Sequence, residues 1–172
     1  MTNKTPKAVF LDRDGTLIRD KNYLSRVEDI EYFSDTFESL KLMLNKGYRL
    51  YVITNQSGVG RGFFPLSSVT AVHQAMDEDM RNHKLPHFSG WGVCPHSPDQ
   101  NCSCRKPMPE MIQKFIDRDH LDPSQCWMVG DKEIDAECGV NAGINGAVVR
   151  VKSAAGPHPF HSSLFAFAVT LP

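Results

Sequence analysis

The chain has 172 residues, 41% hydrophobic and 23% charged, with a formal net charge of -1 at pH 7. That length fits one domain, residues 1–172, with a full-sized core. The near-neutral charge gives no footing for nucleic acid or an anionic membrane, no run reaches the roughly 20 apolar residues that span a bilayer, and the opening MTNKTPK lacks the apolar core of a signal peptide, so the expectation is a cytoplasmic protein.

Short apolar runs alternate with amphipathic stretches. AVFLD (8–12) reads as a buried strand that ends in polar residues. TFESLKLMLNKG (36–47) sets Phe37, Leu40 and Leu44 at helical spacing and stops at Gly47. YRLYVITN (48–55) is β-branched and aromatic, hence a strand. Leu66 to about His83 reads as a helix, and GWGVCP (90–95) as a weaker strand leading into a cysteine-rich loop. PEMIQKFIDRDH (109–120) opens on proline and carries Met111, Ile112, Phe115 and Ile116 on one helical face. CWMVGD (126–131) is a strand, Glu133 to Ala142 a short helix, and NGAVVRV (145–151) a strand. The tail, 152–172, is atypical: Gly156, Pro157 and Pro159 punctuate it, and LFAFAV (164–169) suits either an edge strand or a cover over the core. This alternation predicts an α/β fold, a doubly wound parallel sheet with helices on both faces.

Ligands of such sheets bind beyond the carboxyl ends of the strands. Here those ends carry DRDGT (12–16), TNQSGVGRG (54–62), the cysteine loop with CRKP (104–107), and GDKEID (130–135). Asp12 and Asp14, two apart on extended backbone, can face one spot. Two convergent carboxylates call for a cation such as Mg²⁺ between them, or for one to be protonated as an acid/base partner; the plain alternative is an Asp-Gly turn. Asp131 could complete a cation's ligand set with Asp135 one turn on, although acids at a helix start are also favoured by the helix dipole. Lys132 reads equally well as a solvated charge. Thr54 with loosely turning backbone behind it suits a phosphate, and Arg61 among glycines could reach an anion or remain solvated. Lys106 could neutralise a phosphoryl group and Arg105 grip a substrate oxygen, or both could be solvated cations.

Cys94, His96, Cys102 and Cys104 place three thiols and an imidazole in one short loop (94–104) stiffened by Pro95 and Pro98. This set matches a closed, tetrahedral structural Zn²⁺ site, whereas an odd total of five cysteines in a reducing compartment argues against disulfides. A loop tightened by zinc would hold Arg105 and Lys106 over the strand ends. Cys126 and Cys138 sit among apolar neighbours and read as core, as do Trp91 and Trp127. His73, His83, His87 and His120 show no partner spacing, and Ser57 lacks the nucleophile-elbow pattern.

DRDGT, the TN after the second strand, the lysine of RKP and GDKEID together resemble the four motifs of the haloacid dehalogenase (HAD) superfamily, in order over residues 8 to about 151. The cysteine loop before CRKP is similar to its small branch without a cap domain, which holds heptose bisphosphate and histidinol-phosphate phosphatases. The resemblance implies a Mg²⁺-dependent phosphatase acting on a small phosphate ester. Asp12 would be the nucleophile and Asp14 the acid/base. Asp12, the Asp14 carbonyl and Asp131 would bind Mg²⁺, with Asp135 in support. Thr54 and Lys106 would hold the phosphoryl group, while Arg105, Asn55 and Arg61 would contact substrate. TNQSGVGRG and RDKNYLSRVEDIEYF (19–33) are similar to the heptose type; the short His96–Cys102 spacing is similar to the histidinol type, and Glu110 departs from the heptose pattern. A chain of this size without a cap can close its own site as a monomer.

Overall fold

The computed structural model describes residues 5–150 and 156–172. Along the chain run β1 (Lys7–Leu11), α1 (Thr36–Asn45), β2 (Tyr48–Asn55), the single turn α2 (Ser57–Gly60), α3 (Leu66–Asn82), β3 (Gly90–Cys94), α4 (Glu110–Asp119), β4 (Trp127–Gly130), α5 (Glu133–Asn141), β5 (Asn145–Val149), β6 (Phe160–His161) and α6 (Leu164–Thr170). The strands form one parallel sheet in the order β3-β2-β1-β4-β5-β6. The order reverses direction between β1 and β4, which opens a crevice beyond their carboxyl ends.

All five residues of β1 are buried, as a central parallel strand covered on both faces requires. Its period of two divides the core. Val9 and Leu11 join Leu40, Met43, Val72 and Phe167 on one face, and Ala8 and Phe10 join Tyr51, Ile53, Ile112 and Met128 on the other. Phe10 stacks on Tyr51 of β2 with ring centroids 4.9 Å apart, a packing whose truncation to alanine costs about 3–5 kcal/mol. Cys126 and Cys138 are fully buried in the second cluster, and Trp91 and Trp127 pack against the first.

The tail departs from one of its two expected forms. LFAFAV is helical; Leu164, Phe167 and Ala168 share a buried face, and Ser163 Oγ caps the helix by accepting from the Ala166 N–H at 3.0 Å. The edge strand is instead the two-residue β6, paired with β5. Lys46 donates to the carbonyls of Val169 and Leu171 and so holds the helix end. Asp35 accepts from the Phe165 N–H at 3.1 Å and from Arg150 at 2.8 Å, while Arg150 also donates to the Thr16 carbonyl at 2.9 Å. The tail is thereby tied to the turn after β1. Val151, the expected last residue of the fifth strand, and 152–155 of the tail lie outside the described residues. Among the described residues no helix is long and apolar enough to cross a membrane.

Candidate active site

The turn after β1 is closed by Gly15, whose φ of +87° is a conformation that side-chain-bearing residues rarely adopt. A Cβ there would fall 2.4 Å from Asp131 Oδ2, so glycine is what lets the turns after β1 and β4 meet. Between them Lys106, only 4% exposed, arrives from the loop before α4. Its Nζ lies 2.5 Å from Asp12 Oδ1 and 2.6 Å from Asp135 Oδ1, and donates to the Ile53 carbonyl at 2.9 Å. Carboxylate oxygens of Asp12, Asp131 and Asp135 all lie within 4.8 Å of one another.

Two carboxylates thus hold one buried ammonium, and a third, Asp131, lies close to both of them. Burial drives the Asp12 pKa up to about 8, against the pull of Lys106 and with added push from Asp135 and Asp14. Burial likewise raises Asp131. Burial alone would lower Lys106, but Asp12 and Asp135 more than reverse this and keep it protonated. Asp131 Oδ1 is buried with no hydrogen-bond partner. An oxygen-only donor set, an excess of negative charge and an orphaned carboxylate oxygen together fit a hard divalent cation. The resemblance implied Asp12, the Asp14 backbone carbonyl and Asp131 as cation ligands, with Asp135 in support. Asp135 stands with Asp12 and Asp131, and also accepts from the Lys132 N–H at 3.1 Å, whereas the Asp14 carboxylate turns elsewhere.

Asp14 lines the same cavity as Asp12 but is held by a different set of groups. Arg13 donates through Nε to Asp14 Oδ2 at 2.9 Å and through a terminal nitrogen to Oδ1 at 3.2 Å. Gln56 Nε2 donates to Asp14 Oδ2 at 2.9 Å and to Thr54 Oγ1 at 2.8 Å. Gln56 was not singled out in the sequence, since only the turn from β2 into α2 brings it back onto β1. His73, read there as partnerless, is a buried neighbour of Arg13: the pair is 60 residues apart in sequence and 3.3 Å apart in space.

The cysteine loop forms a compact cluster. Cys94 Sγ lies 3.5 Å from Cys102 Sγ and 3.7 Å from His96 Nδ1, which lies 3.3 Å from Cys104 Sγ. All five cysteines are free, and a disulfide would need about 2.05 Å between sulfurs. Zinc bonds of about 2.3 Å to sulfur and about 2.0–2.1 Å to nitrogen set tetrahedral edges of about 3.5–3.8 Å, close to the spacing seen. The stretch after Asn55, expected from sequence as a loosened loop, opens as α2, and Gly60 lets that turn dock against this cluster. A Cβ on Gly60 would fall 2.5 Å from the Ser97 N, and Gly60 N–H donates to the Pro95 carbonyl at 2.7 Å.

Asn55 uses its side chain on backbone: it accepts from the Lys106 N–H at 3.1 Å and donates to the Lys106 carbonyl at 3.3 Å. It therefore fixes the lysine, with its edge still on the cavity. Arg105 lines the cavity too and donates to the His96 carbonyl at 3.4 Å. Arg61 is exposed and outside the cavity lining; hydrogen bonds from Ser97 and from the turn around Asp99 lower the Asp99 pKa, and Arg61 adds a small pull to them. Lys132, half exposed, does line the cavity, between Asp20 at 3.6 Å and Asp131 at 4.0 Å. The cavity holds about 290 Å³, and its outer wall is the stretch Asp20, Asn22, Tyr23 and Leu24. Asn22 and Tyr23 both have left-handed backbone, at φ 50° and 65°. In the sequence this stretch, part of RDKNYLSRVEDIEYF, drew notice only for its resemblance to the heptose type, since no periodicity marks it as a wall.

The family model of HAD-hydrolase-like proteins matches residues 103–155. The chain is 38% identical over 149 residues to a D-glycero-beta-D-manno-heptose-1,7-bisphosphate 7-phosphatase of Helicobacter pylori, covering 87% of this chain and 86% of that protein. It is 34% identical to a histidine biosynthesis bifunctional protein of Actinobacillus pleuropneumoniae, over 81% of this chain but 39% of that protein. A solved structure of D,D-heptose 1,7-bisphosphate phosphatase from B. bronchiseptica, complexed with magnesium and phosphate, superposes with a TM-score of 0.85 over 96% of this chain and 97% of that one, at 24% identity. With a sheet order, strand-end acids and relatives that agree, the chain belongs to the HAD superfamily of hydrolases, as its four strand-end motifs suggested.

Proposed function

We propose that the chain is a phosphatase that hydrolyses a sugar phosphate through an aspartyl-phosphate on Asp12, with the 7-phosphate of D-glycero-D-manno-heptose 1,7-bisphosphate as its substrate. The observation that carries the reading is the Asp12–Lys106–Asp135 contact at the switch point of the sheet, with Asp14 on the same cavity wall. The names of the relatives support the substrate.

An Asp12 oxygen attacks phosphorus in line with the ester oxygen, and the P–O bond to the sugar breaks. Asp14 gives its proton to the departing oxygen. Water then attacks the aspartyl-phosphate, Asp14 takes a proton from it, and phosphate leaves with Asp12 restored. Lys106 and the Thr54 hydroxyl hold the phosphoryl oxygens, and Asn55 keeps Lys106 in register through its backbone. Asp12 and Asp131, with Asp135, would hold Mg²⁺, which supplies charge neutralisation and keeps Asp12 ionised as a nucleophile. Cys94, His96, Cys102 and Cys104 would hold a structural Zn²⁺ that anchors Arg105 and Lys106. Arg105 and Lys132 are the cations placed to meet further anionic groups of the substrate. Reduced thiols suit the cytoplasm.

The second reading is hydrolysis of histidinol phosphate, favoured by the similarity to the histidine biosynthesis protein. Phosphate release with Mg²⁺ from the heptose bisphosphate and from histidinol phosphate, at equal concentrations, decides between them. Faster release from histidinol phosphate overturns the proposed substrate. Full activity in Asp12→Asn overturns the mechanism.

A further inference from the structure

Arg13 is the largest fully buried side chain among the described residues, at 0% exposure. A guanidinium so deep is retained only where its donors are matched. Two of them go to Asp14, one to the Leu24 carbonyl at 3.5 Å, and one faces His73 Nε2 at 3.3 Å. A guanidinium cannot accept, so His73 Nε2 is the acceptor and carries no proton. Burial, helped by the Arg13 charge, lowers the His73 pKa to about 3, in keeping with a neutral ring.

The imidazole is itself fixed. It stacks on Trp91 with centroids 4.0 Å apart and planes 14° apart. Trp91 Nε1 donates to Asp77 Oδ2 at 3.0 Å, and Asp77 Oδ1 accepts from the Phe88 N–H at 3.1 Å. Asp77 and His73 lie one turn apart on α3, and Trp91 is in β3. A bracket made by helix and edge strand thus sets the imidazole plane, the imidazole sets the guanidinium, and the guanidinium grips both oxygens of Asp14.

We infer that Arg13 and His73 are positioning residues that aim the Asp14 carboxyl at the leaving-group oxygen; this rests on the proposed role of Asp14 as proton donor. The same guanidinium also pins the Leu24 carbonyl, which joins the aim of Asp14 to the cavity wall that faces the substrate.

The test uses the leaving group. An alkyl phosphate needs a proton as its oxygen departs, while p-nitrophenyl phosphate does not, and kcat/KM reads the steps through that departure. Heptose 1,7-bisphosphate and histidinol phosphate serve as the alkyl esters. His73→Phe keeps a ring against Trp91 and removes the acceptor; His73→Gln keeps an acceptor. His73→Phe is expected to lower kcat/KM for the alkyl ester about tenfold and for p-nitrophenyl phosphate less than about twofold, with His73→Gln recovering most of the loss. Arg13→Met, where it folds, shows the same asymmetry more strongly. Asp14→Asn is the control. If it shows the asymmetry while His73→Phe loses both substrates equally, or neither, the inference fails alone. If Asp14→Asn leaves alkyl hydrolysis intact, the proposed role of Asp14 fails instead.

Discussion

Two clusters of ligand-type side chains lie near one another in this molecule, and the chain makes them in opposite ways. Cys94, His96, Cys102 and Cys104 come from one short loop, so chain spacing alone brings them together. Asp12, Lys106, Asp131 and Asp135 come from the turns after β1 and β4, the loop before α4, and α5. Only the sheet, with its close turn at Gly15, brings these four together. The first cluster therefore needs little from the fold and lends it rigidity. The second needs the whole fold and strains it with crowded, buried charge. They meet in the two residues after Cys104, where Arg105 and Lys106 pass from one to the other.

The sharpest separation is expected from Asp12→Asn. Phosphate release should fall by about 10³-fold or more, because no carboxylate remains to accept the phosphoryl group, while zinc content measured on the purified protein stays unchanged. Lys106→Met should cost about 10²–10³-fold in kcat/KM and, by leaving Asp12 and Asp135 buried without a counter-charge, about 3–5 kcal/mol in urea unfolding. Added Mg²⁺ should restore part of that stability and little of the activity; recovery of both would move Lys106 out of the phosphoryl site. Cys102→Ser attacks the local cluster instead. It should lower zinc content and melting temperature and reduce activity about tenfold, through the loosened approach of Lys106. Unchanged activity in a zinc-free variant would show that the two clusters are independent.

A smaller effect tests the outer layer of the fold-made cluster. His73 in an unfolded chain takes a proton near pH 6.5, and the folded chain refuses it down to about pH 3. The stability this group contributes is whole above pH 6.5 and is lost as pH falls toward 3, at up to about 1.4 kcal/mol per pH unit. His73→Phe should flatten the urea midpoint between about pH 4 and 6.5; an unchanged slope there assigns the acid sensitivity to other groups. The least effect is expected from Arg61→Ala, less than about twofold in kcat/KM for the better substrate, against a clear rise in KM for Arg105→Ala. A large loss at Arg61 would mean that substrate reaches beyond the cavity wall.

What the sequence disclosed follows the same division. The cysteine loop was legible because ligand spacing is a local property. β2 was legible from Tyr48 to Asn55 because β-branched and aromatic residues crowd a strand buried on both faces. Asp12, Asp131 and Lys106 were legible only as motifs at strand ends, since their convergence depends on which strands are neighbours. Arg13 and Gln56 sit inside DRDGT and TNQSGVGRG but drew no role from them, and His73 shows no partner spacing; the Arg13–His73 partnership exists only once α3 lies over the turn after β1. LFAFAV was ambiguous because its apolar run fits both periods; the Ser163 cap and the spacing of Leu164, Phe167 and Ala168 settle it as a helix. The Asp14 carboxylate stands apart from the cluster of Asp12, Asp131 and Asp135, although its i, i+2 spacing allowed it to share a spot with Asp12, because the arginine next to it in sequence folds back onto it, while α5 turns Asp135 inward.

Gly15 gives the turn after β1 its shape, and its consequence is one of mutational tolerance. A scan of DRDGT would be expected to find its hardest limits at residues with reactive side chains. Yet alanine, the mildest possible addition, would place a methyl group 2.4 Å from Asp131 Oδ2 at a backbone angle alanine avoids. Asp131 would have to leave its place for any side chain to enter. The position with no functional group is thus as constrained as Asp14 before it and Asp131 across from it, and what the chain preserves there is an empty volume.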